Sequence, residues 1–312
     1  MILLTGASGF IGGALLHELT RRGKAVRPVY RVLPDAADST PAVAIASMDM
    51  TTDWRAALQG AETVVHCAAR VHVMRDTASY PLEKFRRTNV AGTLALARQA
   101  ADAGVKRFVF LSSIKVNGES TAPGAAFTAD DAPAPEDAYG ISKAEAEAGL
   151  REIASQTGME VVIIRPVLVY GPGVKGNFQT MVRWIQRGVP LPLGGVTNNR
   201  RSLVALGNLV DLICTCLDHP HAAGQIFLAS DGEDLSSADL LRRIATAQGV
   251  FPRLLPVPPV LLHWGARLLG KHAVAQRLLG SLQVDISKTR KLLDWQPPFT
   301  VDQALKKLTE SK

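Results

Sequence analysis

The chain has 312 residues and carries 35 Lys and Arg against 28 Asp and Glu, a formal charge of +7. That length suits one large domain or two coupled ones around a substantial core, and a composition of 47% hydrophobic and 20% charged residues excludes disorder, collagen and coiled coil. The excess of positive charge suits a polyanionic ligand, nucleic acid being one candidate among several.

In chain order, Met1-Ile2-Leu3-Leu4-Thr5-Gly6 reaches a glycine turn after three apolar residues with no basic region before them, which excludes a signal peptide. Residues 2–4 read as a strand, and Ile11, Leu15, Leu16 and Leu19 follow helical spacing up to Arg21-Arg22-Gly23, the cations and glycine that a helix C-terminus favours. Residues 25–30 read as a central strand despite Pro28, which lacks a ladder donor and is expected at an irregular position near the strand's end. Runs at 63–67, 108–111 and 161–164 are rich in Val, Ile, Leu and Phe and read as strands buried on both faces. Helices fit residues 89–103, closed by Gly104, and 138–156, closed by Gly158. This repetition predicts an α/β fold, a doubly wound parallel sheet of the Rossmann kind, over residues 1–165.

After Arg165 proline and glycine cluster between shorter elements: a helix at 178–187, a strand and helix over 202–217, a strand at 226–229, and a helix at 237–248 capped by Ser236-x-x-Asp239. Residues 166–312 are read as a smaller, mainly substrate-binding α/β domain with some segments returning to the large sheet. The apolar tract 254–262 is broken by Pro256, Pro258 and Pro259 and is too short to span a bilayer. Residues 261–282 have a basic amphipathic pattern, read as a helix packed within the substrate domain in preference to one lying on a membrane. Cys67, Cys214 and Cys216 make neither a disulfide framework nor a zinc site, and the histidines lack partners for one, so no metal is expected and the setting is read as reducing and cytoplasmic.

Thr5-Gly6-Ala7-Ser8-Gly9-Phe10-Ile11-Gly12 sets three glycines between the first strand and the first helix, as a dinucleotide pyrophosphate requires: a tight turn, close backbone approach, close helix packing, and a helix N-terminus facing the anion. Ser8, Phe10 and Ile11 fall within the same loop. The second strand ends in Tyr30-Arg31-Val32 with no carboxylate before Asp35, which favours NADP(H) over NAD(H), with Arg31 as the 2′-phosphate partner and an exposed loop residue as its alternative role. Asp49, beside Met50, is a candidate for the adenine amino group. Tyr139 and Lys143 stand four apart on one helix face, where a lysine cation would bring the phenol toward a working range, and Ser112-Ser113 ends a strand at the sheet's carboxyl edge.

With these residues in place the sequence resembles the extended short-chain dehydrogenase/reductase family over essentially its whole length. Gly6, Gly9, Gly12, Ala68-Ala69, Asn89, Ser113, Tyr139, Lys143 and Arg165-Pro166 carry the resemblance. It implies that Tyr139 is the acid/base, Ser113 orients the reacting oxygen, Lys143 binds the nicotinamide ribose, and Ala68, Ala69, Asn89, Arg165 and Pro166 line the coenzyme site. It also implies a homodimer through two long helices, one of them residues 138–156. The second half resembles the nucleotide-sugar branch: Val169-Tyr170-Gly171-Pro172-Gly173 and Asn177-Phe178 for the loop over the sugar nucleotide, Pro192-Leu193-Gly194-Gly195 beside a uracil, and Arg201 for the diphosphate of a UDP-sugar.

Family dehydratases carry an Asp-Glu pair after the strand-end serine, whereas this chain has Ile114-Lys115, so dehydration lacks its acid/base pair and Lys115 becomes a candidate sugar contact. Val116-Asn117-Gly118 replaces the usual Val-Tyr-Gly, which implies a different substrate pocket. The segments 67–74 and 113–118 resemble a bacterial subgroup tied to surface polysaccharide synthesis that includes reductases of UDP-4-keto-6-deoxy-N-acetylhexosamine. The expectation is oxidation or reduction at a sugar C4, with the reductase favoured and a 4-epimerase holding tightly bound NAD as the alternative. A dinucleotide-binding regulator that has lost its chemistry would have a damaged triad, and DNA binding would need a helix-turn-helix signal; neither is seen.

Overall fold

The computed structural model describes residues 1–34, 42–71, 81–270 and 272–310. Chain order begins β1 (Ile2–Thr5), α1 (Phe10–Arg21), β2 (Val26–Tyr30), β3 (Val43–Ala44), α2 (Arg55–Leu58), β4 (Thr63–His66) and α3 (Pro81–Phe85). A π-helical stretch, Arg86–Gly92, leads into α4 (Thr93–Asp102), followed by β5 (Arg107–Leu111), a 3₁₀ turn at Ile114–Val116, α5 (Ala138–Thr157) and β6 (Glu160–Pro166). Then come β7 (Leu168–Tyr170), α6 (Asn177–Gln186), β8 (Arg201–Ala205), α7 (Leu206–Asp218), β9 (Ile226–Ala229), β10 (Asp234–Leu235) and α8 (Ser237–Ala247). The last helices are α9 (Pro259–Leu268), α10 (His272–Leu279), α11 (Ser287–Leu293) and α12 (Val301–Glu310).

Seven parallel strands form the large sheet in the order β3-β2-β1-β4-β5-β6-β9, and β10-β8-β7 form a separate three-stranded sheet. The unbroken apolar runs follow from burial on both faces. Leu4, Val65, Val109, Val162 and Ile164 point into a core shared with α1 and α7, while Leu3, Val64, Phe108, Phe110 and Val161 point into one shared with α4 and α5. β9 lies beyond residue 165 yet is the last strand of the large sheet, and α7 packs against α1. A third cluster joins α6, α8 and α12 to the small sheet.

Pro28 departs from expectation: it occupies the middle of a regular strand, opposite Leu4, not an irregular end. β3 pairs only from Val29 onward, so no ladder on that side is interrupted at position 28. The helix expected from residue 89 starts as α helix at Thr93, with Asn89 in the π-helical stretch before it. Ser236 caps α8 as expected, its hydroxyl accepting the Asp239 N–H at 3.0 Å. Among the described residues no helix is long and apolar enough to cross a membrane, and no cluster could hold a metal.

Candidate active site

β1 and β4 are neighbours at the point where strand order reverses, so their carboxyl ends open a crevice. Gly6 turns there with φ +74°, and a Cβ on it would lie 2.7 Å from the Ala68 nitrogen. A Cβ on Gly12 would lie 2.1 Å from the Gly6 carbonyl oxygen, so α1 can start this close to the loop only with glycine there. Gly9 precedes α1 without a side-chain cap, which leaves the first N–H groups of that helix to an incoming anion. Ser8 is exposed, while Phe10 and Ile11 pack partly against the core. These residues fit a dinucleotide pyrophosphate.

Beneath the loop the Thr5 hydroxyl meets His66 Nδ1 at 2.7 Å, and His66 Nε2 meets the Thr93 hydroxyl at 3.0 Å. Burial brings this imidazole down to about 3, so it stays neutral and ties β1, β4 and α4 together. Arg31 follows β2 at the same edge and is exposed; Asp35 lies outside the described residues, as do 72–74 of the segment 67–74. The Asp49 carboxylate accepts the Thr51 hydroxyl at 2.7 Å and Arg87 at 2.8 Å, which hold it ionised well below the usual carboxylate range; Met50 beside it is exposed. Asn89 is fully engaged within the chain. It accepts the Arg70 N–H at 2.8 Å and donates to the Arg70 carbonyl and the Ser142 hydroxyl, both at 3.0 Å, so it braces the segment after Ala68 and Ala69 against α5.

Asp137 caps α5, accepting the Gly140 N–H at 2.7 Å, and thereby sets the first turn that carries Tyr139 and Lys143. Lys143 is buried, donates to the Leu111 carbonyl at 2.7 Å, lies 4.3 Å from the Phe110 ring centroid, and is 6.0 Å from that of Tyr139. Burial brings its amine down to about 8. Burial, then the Asp137 charge, push the Tyr139 phenol up. Ser113 follows β5, and its hydroxyl accepts the Lys115 N–H at 3.2 Å.

Four expectations, for Arg165, Asn117, Pro166 and Lys115, need correction. Arg165 does not face the crevice. It is 1% exposed and donates to both carboxylate oxygens of Glu147, at 2.9 and 2.5 Å, and to Asn117 Oδ1 at 2.9 Å. Ser112 donates to the same Glu147 at 2.5 Å, and Asn117 donates onward to the Thr128 carbonyl at 3.0 Å. This cluster bolts β6 and the turn after Ser113 to α5, and it consumes Asn117, the residue expected to reshape the substrate pocket. Pro166 is likewise buried, opposite Ala229 in the sheet. Lys115 points to carboxylates instead of a sugar: it donates to Glu119 at 2.6 Å and to Asp137.

The remaining candidates lie beyond β6. Asn177 is exposed at the start of α6, before Phe178, which stacks on Tyr170 at 5.4 Å. Pro192 is exposed and Leu193 buried, in a segment strapped to residues 253–257: Leu191 donates to the Arg253 carbonyl at 2.8 Å and Gly194 to that of Leu255 at 2.9 Å. Arg201 reaches the Gly280 carbonyl at 3.2 Å; its guanidinium is lowered by burial and by the Arg277 cation. Arg277 escaped sequence reasoning because only folding brings α10 to β8. Asp137 and Glu147 carried a signal that was passed over: one is an acid at a helix start, the other stands four residues after Lys143 on the same face.

Comparison with known proteins adds the family. The model described as the NAD dependent epimerase/dehydratase family matches residues 2–229. The chain is similar to a UDP-glucose 4-epimerase of Vibrio cholerae, 48% identical over 311 residues that cover 99% of this chain and 94% of that protein. Its fold is similar to a UDP-glucose 4-epimerase of Thermotoga maritima with UDP-glucose (22% identity, TM-score 0.75, 99% and 97% of the two chains). A UDP-glucuronic acid 4-epimerase of Bacillus cereus in complex with NAD is similar in fold (20% identity, TM-score 0.78, 99% and 97%). The sequence favoured NADP(H) over NAD(H), but NAD is the dinucleotide in the family's description, and the glycine cradle at the crevice fits it. The chain belongs to the NAD dependent epimerase/dehydratase family.

Proposed function

We propose that this enzyme interconverts the C4 epimers of a UDP-hexose, UDP-glucose and UDP-galactose in the first instance, with NAD held in the crevice between β1 and β4. The observation that carries this reading is the 48% identity to the Vibrio cholerae UDP-glucose 4-epimerase across nearly the whole chain. It favours the epimerase over the reductase that the sequence alone preferred.

Gly6, Gly9 and Gly12 would hold the pyrophosphate, with Ala68 and Ala69 on the other wall of the crevice. The chemistry NAD supplies when bound is reversible acceptance of a hydride. Tyr139 takes and returns the proton at the sugar O4, Ser113 orients that oxygen, and the Lys143 amine lies beneath the tyrosine ring. Arg201 and Arg277 form a cationic pair suited to the diphosphate, with Asn177, Pro192 and Leu193 at the sugar and base. Lys115 is neutralised by Asp137 and Glu119, so the turn after Ser113 offers no acid/base pair for eliminating water. The enzyme acts as a homodimer through the outer faces of α4 and α5, and sedimentation should find twice the chain mass.

Proton NMR of UDP-glucose incubated with the purified enzyme tests the reaction. UDP-galactose should appear, and the same ratio should be reached from either sugar with no net change in nicotinamide absorbance. Failure to interconvert, with rapid oxidation of NADPH or NADH by UDP-4-keto-6-deoxy-N-acetylglucosamine, would make it the reductase instead.

A further inference from the structure

The 261–282 stretch, read from sequence as a packed helix, divides in the fold: Ala275 is buried and Leu278 and Leu279 pack against the third core cluster, whereas α9 has no buried residue. At about 100° per residue, Val260, Trp264 and Leu268 fall on one stripe with Leu261 beside it. Leu262 falls on the opposite side and packs against the third core cluster. Trp264 is 66% exposed, Leu268 83%, and Phe251, in the segment leading into the helix, 96%. His263 and Arg267 flank the apolar stripe and are exposed, as is Arg253. Among the described residues neither Arg253 nor Arg267 makes an ion pair. Between Asp239 and Asp285 the sequence has no carboxylate, while Arg253, Arg267, Lys271 and Arg277 are cations.

Two features therefore have to be met together: a row of apolar side chains and a border of cations that make no ion pair among the described residues. A second copy of this face would cover the first but not the second, because a two-fold contact would set arginine against arginine with no acid between them. An anionic bilayer meets both, with headgroup phosphates for the arginines and the acyl boundary for the stripe, and a tryptophan suits that boundary. We propose that α9 docks the enzyme on an anionic membrane surface, lying in the interface plane with Val260, Leu261, Trp264 and Leu268 inserted and Arg253 and Arg267 on the phosphates. The docking is peripheral and reversible, since ten residues cannot span.

The test uses the full chain carrying Trp184→Phe, because Trp54 and Trp295 are buried and this leaves Trp264 as the exposed fluorophore. It is mixed with vesicles of phosphatidylethanolamine and phosphatidylglycerol, and separately with phosphatidylcholine alone. The expected result is co-sedimentation and a blue shift of tryptophan emission with the anionic vesicles, weakened by salt, and little of either with phosphatidylcholine. In the parent chain, Leu261→Ser with Trp264→Ser and Leu268→Ser should weaken vesicle binding by more than about tenfold with the melting temperature kept. Arg253→Glu with Arg267→Glu should remove the preference for anionic lipid. No binding to the anionic vesicles at low salt, or equal binding by the triple serine variant, would overturn the proposal. So would a triple variant that sediments as a smaller oligomer than the parent, which would give this face to a second copy.

Discussion

Around the turn after Ser113 the charged Arg165 and Glu147 are buried and answer each other; at the α9 corner apolar side chains are exposed, and among the described residues Arg253 and Arg267 make no ion pair. Arg165, Glu147, Ser112 and Asn117 close on one another so completely that Glu147 is 0% exposed, whereas Trp264 and Leu268 stand in solvent. The difference separates what a chain completes within itself from what it leaves for something else to complete. The buried cluster positions α5 and the turn after Ser113, so its value lies in the geometry it enforces.

The largest effect expected from breaking the first region is on turnover. Tyr139→Phe should cut it by about a hundredfold or more while dinucleotide affinity, measured by fluorescence titration, stays within a few fold; substantial retained activity would remove Tyr139 from its role. Next comes the cluster beneath it. Glu147→Gln leaves Arg165 buried without its counter-charge and should cost about 3–5 kcal/mol in urea unfolding, whereas Arg165→Met combined with Glu147→Leu should recover most of that loss. Lys143 sharpens the comparison through pH. Its amine titrates at about 8 in the fold against the usual 10.5, so its charge opposes folding below about pH 8 and the penalty fades between about 8 and 10.5. Lys143→Met should then gain stability relative to the parent at neutral pH, with the gain shrinking across that window. The smallest effect belongs to Arg22, which joins α1 to Asp211 on α7 at 2.8 Å near the surface; Arg22→Ala should cost about 0.5 kcal/mol by thermal unfolding.

The same divide explains what could be read in the sequence. The glycine loop, the apolar strands and the Tyr139–Lys143 spacing are local, dictated by backbone geometry and the period of a helix, and the fold carries each on the element expected for it. Arg165, Lys115 and Asn117 were misread because their partners, Glu147, Asp137 and the Thr128 carbonyl, come near only when the chain folds. Pro28 was expected to be irregular because the strand's neighbours were unknown, and the late start of β3 removes the conflict. The amphipathic pattern of α9 said that one face needs covering. It did not say whether the protein supplies the cover, and only the placement of Leu262 on the inner side decides which face is left.

In the proposed 4-epimerase reaction the hydrogen removed from C4 goes back to C4 of the same sugar without leaving the site. UDP-glucose deuterated at C4, incubated in ordinary water with the enzyme and no added dinucleotide, tests it by mass spectrometry of the UDP-galactose formed. Full retention of the label at C4 is the predicted result. Loss of the label to solvent or to a free dinucleotide pool, or no product without added reduced dinucleotide, would contradict it.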